Sequence, residues 1–414
     1  MNGYLCFACA TTQAADFGGF LCPSCGENLE ITYDYVAAGE ELQRSLCGGP
    51  RDIFSYTPLL PLRKRDTPFP LRVGGTPLYA APRLGESIGL CNLYLKDDTL
   101  NPSASTKDRA SAVAVQRATD IGATVVSAAS TGNAGSSLAC LAAALGLRAV
   151  VFVPESAPVA KLTQMLSFGA TVIAVRGNYD TAFDLCLAAS DEMGWFNRST
   201  GYNPFTREGK KTCAFEIWQD LDGRIPDRVV VPAGDGNMLS GMWKGWCDLH
   251  TAGLINRLPK IDCAQSESSA AICHTVRRLR DNNDAEPTWS TVVVDKVEAS
   301  TVADSIAVDR PRDGLAAVKA ILHSAGEAVT ISDAEILAAI PDLARSTGIF
   351  AEPAAAATWA AVQQMVRNDR ITKHELVVCV VSGSGLKDVA HASEVAGKPL
   401  VIDPSIEAVR KVLH

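Results

Sequence analysis

The feature that most restricts the fold of this 414-residue chain is an alternation of two kinds of segment beyond Asn101. Short runs of β-branched residues alternate there with Ala- and Leu-rich amphipathic stretches. The β-branched runs are residues 124–127, 149–153, 171–175, 228–231 and 376–381. Strands that alternate with helices of about 10–15 residues indicate βαβ units, and therefore parallel sheets covered by helices. The sequence thus predicts an α/β protein, with an irregular region at 281–311 in which only a short strand at 292–294 is expected.

The composition narrows the class of partner. Hydrophobic residues make up 47% of the chain and charged residues 20%, as in a soluble globular protein. The net charge of −8 argues against nucleic acid or an anionic membrane surface as a partner. The longest apolar stretch, 138–153, is shorter than the roughly 20 residues of a membrane span. Because there is no secretory signal and most cysteines are scattered singly, the chain is expected in the cytoplasm, where thiols stay reduced.

Four cysteines near the N-terminus are not scattered. Cys6 and Cys9 form one CxxC pair, and Cys22 and Cys25 form a second pair twelve residues later. Paired CxxC turns suit a tetrahedral site of four thiolates, so a structural Zn²⁺ is expected in a ribbon at residues 1–30. Fortuitous spacing and a site that has lost its metal remain open alternatives. Residues 1–30 contain no Lys or Arg, which argues against nucleic-acid binding by the ribbon.

Three of the predicted strands run directly into loops of small residues. These loops are residues 130–137, 234–241 and 382–387. Backbone amides at such strand-to-helix turns form anion sites, and ligands of open α/β sheets bind at this edge. A single loop of this kind is usually structural, whereas three of them favour a binding site. Neither GxGxxG nor GxxxxGK[ST] occurs, which argues against a binding site for a dinucleotide or a nucleoside triphosphate.

Lys107 lies in the segment NPSASTKDR, residues 101–109, where a helix is expected to begin. The positive end of the helix dipole favours a neutral amine, which is the form that makes a Schiff base with an aldehyde cofactor. Taken alone, a lysine at this position is usually an ordinary solvated helix start. Other chemistries have less support, because the six histidines lie outside the motifs and neither GxSxG nor HExxH occurs.

The ordered set of motifs resembles the threonine synthase family, fold-type II enzymes that use pyridoxal 5′-phosphate (PLP). The resemblance covers about residues 70–390, and some members of the family also carry a four-cysteine ribbon. The motifs are residues 75–78, 101–109, 130–133, 203–212, 232–245, 301–306, 348–353 and 382–388. The resemblance implies a tryptophan synthase β-like fold with two parallel-sheet α/β domains and the zinc ribbon. It places a large PLP-binding domain at 31–100 and 206–414 and a small domain at 101–205, and it implies a homodimer.

The resemblance also implies roles for individual residues. Lys107 holds PLP and acts as the acid and base, Asn133 bonds the cofactor's 3′-oxygen, and Ser382 faces the pyridine nitrogen. The cofactor phosphate binds at a loop that consists of Gly234, Asp235, Gly236, Asn237 and Met238. The substrate contacts expected from the family motifs are Ser130, Thr131, Thr206, Arg207 and Lys211.

The sequence departs from the family pattern around the substrate. Ala104 and Thr106 stand where Gly and Phe are typical, and Thr206 stands where an arginine often holds the substrate phosphate. The first expectation is a lyase that converts the amino acid O-phosphohomoserine and water to threonine and phosphate. The alternatives are β-replacement or elimination on O-phosphoserine or another activated amino acid, as in a cysteate synthase, and a PLP-free binding module.

Overall fold

The computed structural model describes residues 1–45, 52–64, 67–157, 159–282 and 286–413. The strands are β1 (Gly3–Cys6), β2 (Thr12–Ala14), β3 (Leu29–Thr32), β4 (Leu78–Ala80), β5 (Asn92–Asp97), β6 (Val125–Ala129), β7 (Arg148–Pro154), β8 (Thr171–Val175), β9 (Phe196–Asn197), β10 (Arg228–Pro232), β11 (Lys260–Ser266), β12 (Ala328–Ile331) and β13 (Leu376–Val381).

The α-helices are α1 (Tyr35–Ser45), α2 (Pro82–Glu86), α3 (Lys107–Asp120), α4 (Asn133–Leu145), α5 (Val159–Ser167), α6 (Tyr179–Glu192), α7 (Phe205–Asp220), α8 (Asn237–Thr251), α9 (Ala271–Asp281), α10 (Gly314–His323), α11 (Asp333–Thr347), α12 (Pro353–Arg367), α13 (Val389–Ala396) and α14 (Ile406–Leu413). Short 3₁₀ helices lie at Ile53–Leu59, Asp98–Leu100, Glu267–Ser269, Trp289–Thr291, Asp304–Ile306 and Gly385–Lys387. Among the described residues, no helix is both long and apolar enough to cross a membrane.

The larger sheet has six strands in the order β12-β11-β10-β13-β5-β4. All neighbours are parallel except β4 and β5, which pair antiparallel. Alternate residues of β10 enter two different cores, with Val229 and Val231 on the side of α8 and Val230 on the side of α12. Because both faces are covered, the strand reads as a continuous apolar run rather than an alternating one.

The smaller sheet has four parallel strands in the order β8-β7-β6-β9. The five β-branched runs of the sequence are all strands, three in this sheet and two in the larger one, which confirms the α/β prediction. The strand expected at 292–294 is wrong. Among the described residues this segment has no strand partner, since it follows the 3₁₀ turn at Trp289–Thr291 and runs alongside α9.

The N-terminal ribbon is a three-stranded antiparallel sheet in the order β2-β1-β3. Its buried residues Leu29, Ile31 and Tyr33 belong to the same hydrophobic core as α7 and α8. The ribbon therefore packs on the larger sheet's helices as part of the body of the protein. The domain limits expected from the sequence stay a prediction. Helix α3 of the expected small domain packs against α7, which lies almost entirely in the expected large domain.

Candidate active site

One of the small-residue loops, residues 382–387, is joined by backbone hydrogen bonds both to the Lys107 segment and to the start of α12. The amide of Thr106 donates to the carbonyl of Ser382 at 2.8 Å, and the amide of Ser384 donates to the carbonyl of Ala104 at 3.1 Å. The amide of Glu352 donates to the carbonyl of Gly383 at 3.0 Å. The start of α3, the end of β13 and the start of α12 are therefore fixed against one another at the carboxyl edge of the larger sheet.

Lys107 is the first residue of α3 and is followed by two anchored residues, Asp108 and Arg109. The carboxylate of Asp108 accepts hydrogen bonds from the amide of Ser103 at 2.6 Å and from its hydroxyl at 2.5 Å. Arg109 is fully buried and pairs with Asp98 at 2.7 Å and Glu216 at 2.6 Å. This anchoring fixes the direction in which the Lys107 side chain leaves the helix.

The Lys107 side chain lines two adjoining cavities, the larger of about 430 Å³. The larger cavity is also lined by the predicted residues Ser130, Thr131, Asn133 and Asp235. The smaller cavity is lined by Gly234, Asp235, Gly236, Met238 and Ser382. The structure thus brings most of the predicted cofactor and substrate residues to a single place, although they come from three separate loops.

The loop before α8 has the geometry of an anion site. Gly236 caps the helix with φ +89°, a left-handed conformation that favours glycine. The amides of the first turn of α8 have no partners within the helix, and those of Met238 and Leu239 are available to a phosphate. The Asp235 carboxylate accepts from the amide of Asn237 at 2.9 Å, so an acidic side chain shares the loop. The Asn237 side chain turns away and donates to Asp313 at 2.9 Å, which leaves only its backbone at the loop.

Asn133 has partners that the sequence did not assign. Its amide nitrogen donates to both carboxylate oxygens of Glu352, at 3.1 and 3.0 Å, and to the hydroxyl of Ser305 at 3.2 Å. Burial raises the pKa of Glu352, since the charged carboxylate is poorly solvated there. Glu352 lies in the motif at 348–353, so the signal was present in the sequence without a role attached to it.

Three predicted substrate residues do not line either cavity. Thr206 donates its hydroxyl to the carbonyl of Asn203 at 2.7 Å and so closes the first turn of α7. Arg207 forms a buried ion pair with Asp313, and Lys211 forms buried ion pairs with Glu208 and Asp248. The expectation that these side chains contact the substrate stays a prediction. The structure packs α7 between α3 and α8 and pairs the charges of Arg207 and Lys211 inside the protein.

Two buried cations near the cavities were missed by sequence reasoning. Arg198 donates to Ser111 at 3.1 Å and to Thr200, a residue of the cavity wall, at 2.6 Å. Its remaining nitrogen Nη2 is buried without a hydrogen-bond partner in the described chain. Burial lowers the pKa of Arg198 to about 10. Arg198 lies outside the sequence motifs, so no local pattern marked it as a site residue.

Lys210 is the second of these cations. Its side chain is 1% exposed, and no described residue gives it a hydrogen bond or an ion pair. Burial lowers the pKa of Lys210 to about 7, and the positive charges of Lys107 and Arg198 act in the same direction against the attraction of Asp235 and Asp313. A buried lysine without a partner is costly unless an anion joins it. Arg198 and Lys210 therefore offer unpaired donors near Lys107 that a negatively charged ligand would satisfy.

The four ribbon cysteines converge at a separate place. Their sulfur atoms all lie within 4.8 Å of one another, and three pairs are 3.5 to 3.7 Å apart. A tetrahedral zinc ion with Zn–S distances of ~2.3 Å requires sulfur–sulfur separations of about 3.8 Å. The four thiols form no disulfide and fit such an ion.

The model of the family described as pyridoxal-phosphate dependent enzyme matches residues 70–383. The threonine synthase of Methanosarcina acetivorans is 34% identical over 411 residues, which are 99% of this chain and 98% of that protein. The threonine synthase of Mycobacterium tuberculosis is 34% identical over 358 residues, 86% of this chain and 94% of that protein.

Solved structures show the same fold at lower identity. The processed form of threonine deaminase isoform 2 from Solanum lycopersicum has a TM-score of 0.65 and 21% identity, and covers 78% of this chain and 88% of that one. Maize serine racemase has a TM-score of 0.65 and 16% identity, and covers 86% of this chain and 94% of that one. Together with the lysine, the glycine-rich loop and the hydroxyl at one cavity, these matches place the chain in the threonine synthase family of PLP-dependent lyases.

Proposed function

We propose that the protein is a threonine synthase that converts O-phosphohomoserine and water to threonine and phosphate. The observation that carries this proposal is a pair of buried, incompletely partnered cations: Arg198, which bonds the cavity-wall residue Thr200, and Lys210, which interacts electrostatically with Lys107 and Asp235. Relatives of similar length that carry the name threonine synthase support it. Family membership and the intact Lys107 cavity favour an enzyme over a PLP-free binding module.

The residues of the cavity fit PLP, and each has a task in the proposed reaction. PLP, when bound, supplies an electron sink for carbanion chemistry at the substrate. Lys107 holds the cofactor and afterwards moves protons at the α- and β-carbons of the substrate. Gly234, Gly236 and the first turn of α8 would hold the cofactor phosphate, and the neutral hydroxyl of Ser382 would serve the pyridine nitrogen without protonating it.

The loop before α4 is proposed to bind the substrate carboxylate. The hydroxyl oxygen of Ser130 accepts from the amides of Gly135 at 3.0 Å and Gly132 at 3.3 Å, which shapes the loop. Its proton is then free to be donated to a carboxylate. Thr131 adds a second hydroxyl at the wall of the larger cavity. Amides and hydroxyls at a helix N-terminus are well suited to bind an anion of this kind.

The leaving phosphate is proposed to bind where Arg198 and Lys210 lack partners. Charge-assisted hydrogen bonds to phosphate are stronger than neutral ones, and they would satisfy both side chains. Thr206 does not take this role, because its hydroxyl donates to the carbonyl of Asn203 just before α7.

A second candidate is β-replacement or elimination on O-phosphoserine, which carries the same phosphate on a shorter chain. The turned-in Thr206 favours it, since this residue changes the surroundings of the leaving group relative to the family pattern. Phosphate release from O-phosphohomoserine and O-phosphoserine, each at equal concentration, separates the two. We expect faster release from O-phosphohomoserine. Turnover of O-phosphoserine alone would give the assignment to the second candidate.

We also propose that the ribbon holds a structural Zn²⁺ through Cys6, Cys9, Cys22 and Cys25. Elemental analysis of protein purified without chelator should give about one zinc per chain. Cys9→Ser should lose that zinc, whereas Cys91→Ser, at an exposed thiol outside the ribbon, should keep it. A metal content near zero in the parent protein would remove the site.

The remaining proposals concern assembly and location. We expect a homodimer in the cytoplasm, with a large domain at 31–100 and 206–414 and a small domain at 101–205. The free thiols of the described cysteines suit a reducing compartment. Sedimentation equilibrium that gives a single species at the 43.8 kDa chain mass would contradict the dimer.

A further inference from the structure

The ribbon contacts the back of the cofactor-phosphate loop through Asn28. This residue lies three positions after Cys25 and is buried. Its side-chain nitrogen donates to the carbonyl of Arg312 at 2.8 Å and to the carboxylate of Asp313 at 3.0 Å. A side chain of the second CxxC turn thus reaches residues that lie directly before α10.

Asp313 connects this contact to the loop. It is 1% exposed, and its carboxylate accepts from the side chains of Asn237 at 2.9 Å and Ser240 at 2.6 Å, both in the first turn of α8. Its own amide donates to the carbonyl of Asp235 at 2.9 Å. Asp313 therefore holds both the loop backbone and the helix turn whose amides face the phosphate.

Arg207 makes a second connection from the ribbon to Asp313. It pairs with the Asp313 carboxylate and donates to the carbonyl of Leu29 at 2.9 Å. Its guanidinium also lies 4.4 Å from the ring centroid of Phe7, which stands between Cys6 and Cys9. Both CxxC turns of the ribbon thus contribute to the position of Asp313, one through Phe7 and one through Asn28.

We propose that Asn28, Arg207 and Asp313 are positioning residues, through which the metal-loaded ribbon shapes the phosphate loop and sets the affinity for the PLP phosphate. The inference rests on the zinc and PLP assignments made under Proposed function. Without metal, the two CxxC turns lose the ion that would link them. Phe7 and Asn28, which lie in and beside these turns, then lose their fixed positions against Arg207 and Asp313, and the loop must be ordered when the phosphate binds.

The test is the dissociation constant of PLP, measured by absorbance titration of protein from which the cofactor has been removed. Pyridoxal, which lacks the phosphate, is titrated in parallel. Asn28→Ala should raise the dissociation constant of PLP on the order of tenfold, as expected for the loss of hydrogen bonds to a charged group. The dissociation constant of pyridoxal should stay unchanged. Zinc content should stay at the parental level. Asn2→Ala, an exposed residue of the same ribbon, is the matched control.

The metal is tested separately from the contact. Removal of zinc should weaken the binding of PLP at least as much as Asn28→Ala does. The affinity for pyridoxal should again be unchanged. Unchanged PLP affinity in both forms would overturn the inference, and so would an equal loss for pyridoxal, since that marks general destabilisation. If the parent protein holds no zinc, the zinc proposal fails, and Asn28→Ala still decides whether the contact supports the loop.

Discussion

Lys210 is the residue whose state depends most directly on pH. Because burial lowers its pKa to about 7, Lys210 is charged below that pH and neutral above it. The phosphate of the substrate is mostly dianionic above about pH 6, so its charge changes little between pH 7 and 9. Binding of a phosphorylated substrate is therefore expected to weaken as pH rises through 7, as the cationic partner loses its proton.

This gives a prediction for steady-state kinetics. KM for the phosphorylated substrate should rise with pH above 7, by up to about tenfold per pH unit while a single proton is coupled to binding. Lys210→Gln should raise KM at pH 7 on the order of tenfold and flatten the profile, and Lys210→Arg should keep KM low at higher pH. The exposed lysine variant Lys260→Gln serves as the control. An unchanged KM profile in Lys210→Gln would exclude Lys210 from substrate binding.

Ala104 is strained by the path of the chain into the lysine segment. It has φ +63°, a left-handed conformation that costs residues with a Cβ about 1–2 kcal/mol. The family pattern has glycine at this place, and the backbone bonds to the 382–384 loop require the turn. Ala104 in place of glycine therefore strains the backbone locally and leaves the course of the chain unchanged.

We therefore expect Ala104→Gly to be stabilising. The relief of strain exceeds the added backbone entropy of glycine in the unfolded chain, ~0.5–1 kcal/mol, so the net gain should be about 0.5–1 kcal/mol. Urea unfolding measures this difference. A decrease in the free energy of unfolding would show that the turn holds Ala104 without strain.

At the scale of elements, helix α3 is anchored by a buried charge network behind the cavity. Arg109 bonds Asp98 and Glu216, and Lys96 also pairs with Glu216 at 2.8 Å. Burial alone would raise the pKa of each carboxyl, but the attraction of Arg109, its hydrogen bonds and the charge of Lys96 together outweigh burial, so the pKa of both Asp98 and Glu216 is lowered. Removal of one partner leaves buried charges without compensation.

Arg109→Met should therefore destabilise the protein by about 3–5 kcal/mol in urea unfolding. The control is Arg367→Met, at a largely exposed pair with Glu335, which should change stability by less than about 1 kcal/mol. The parent protein should be stabilised by the two depressed carboxyl groups above about pH 4 and lose this contribution as pH falls. Equal effects of the two substitutions would contradict the role of the network.

Some strands of the protein could be predicted from the sequence, and others could not. Strands such as β7 and β13 were predicted because burial on both faces leaves a continuous β-branched run. Strand β11 was missed, because Asp262 is buried beside Arg228 and Gln265 bonds the amide of Cys273, so polar residues interrupt its pattern. Buried polar residues with tertiary partners carry no local signal.

Helix α7 shows the same limit at the substrate site. Its motif residues Arg207 and Lys211 were expected at the substrate, and the structure turns both into the core. The unpartnered Lys210 stands between them in the sequence. Which of three neighbouring cations faces a ligand depends on the rotation of the helix against α3 and α8, and the sequence alone does not determine it.

At the scale of the whole molecule, the site exists only because distant segments converge. Residues near 107, 133, 198, 235, 352 and 382 meet at facing edges of two sheets. The sequence predicted the lysine and the loops, since each has its own local motif. It did not predict the Asn133–Glu352 contact, the two buried cations or the docking of the ribbon on Asp313, because these depend on packing between elements.

The central claim is that this cavity converts O-phosphohomoserine to threonine. The most direct measurement quantifies threonine and phosphate together, with the parent protein and with Lys107→Ala after supply of PLP. The parent protein should release equal amounts of threonine and phosphate, and the rate for Lys107→Ala should be at least ~100-fold lower, as expected for loss of a general acid–base. Phosphate without threonine, or the same rate in both proteins, would contradict it.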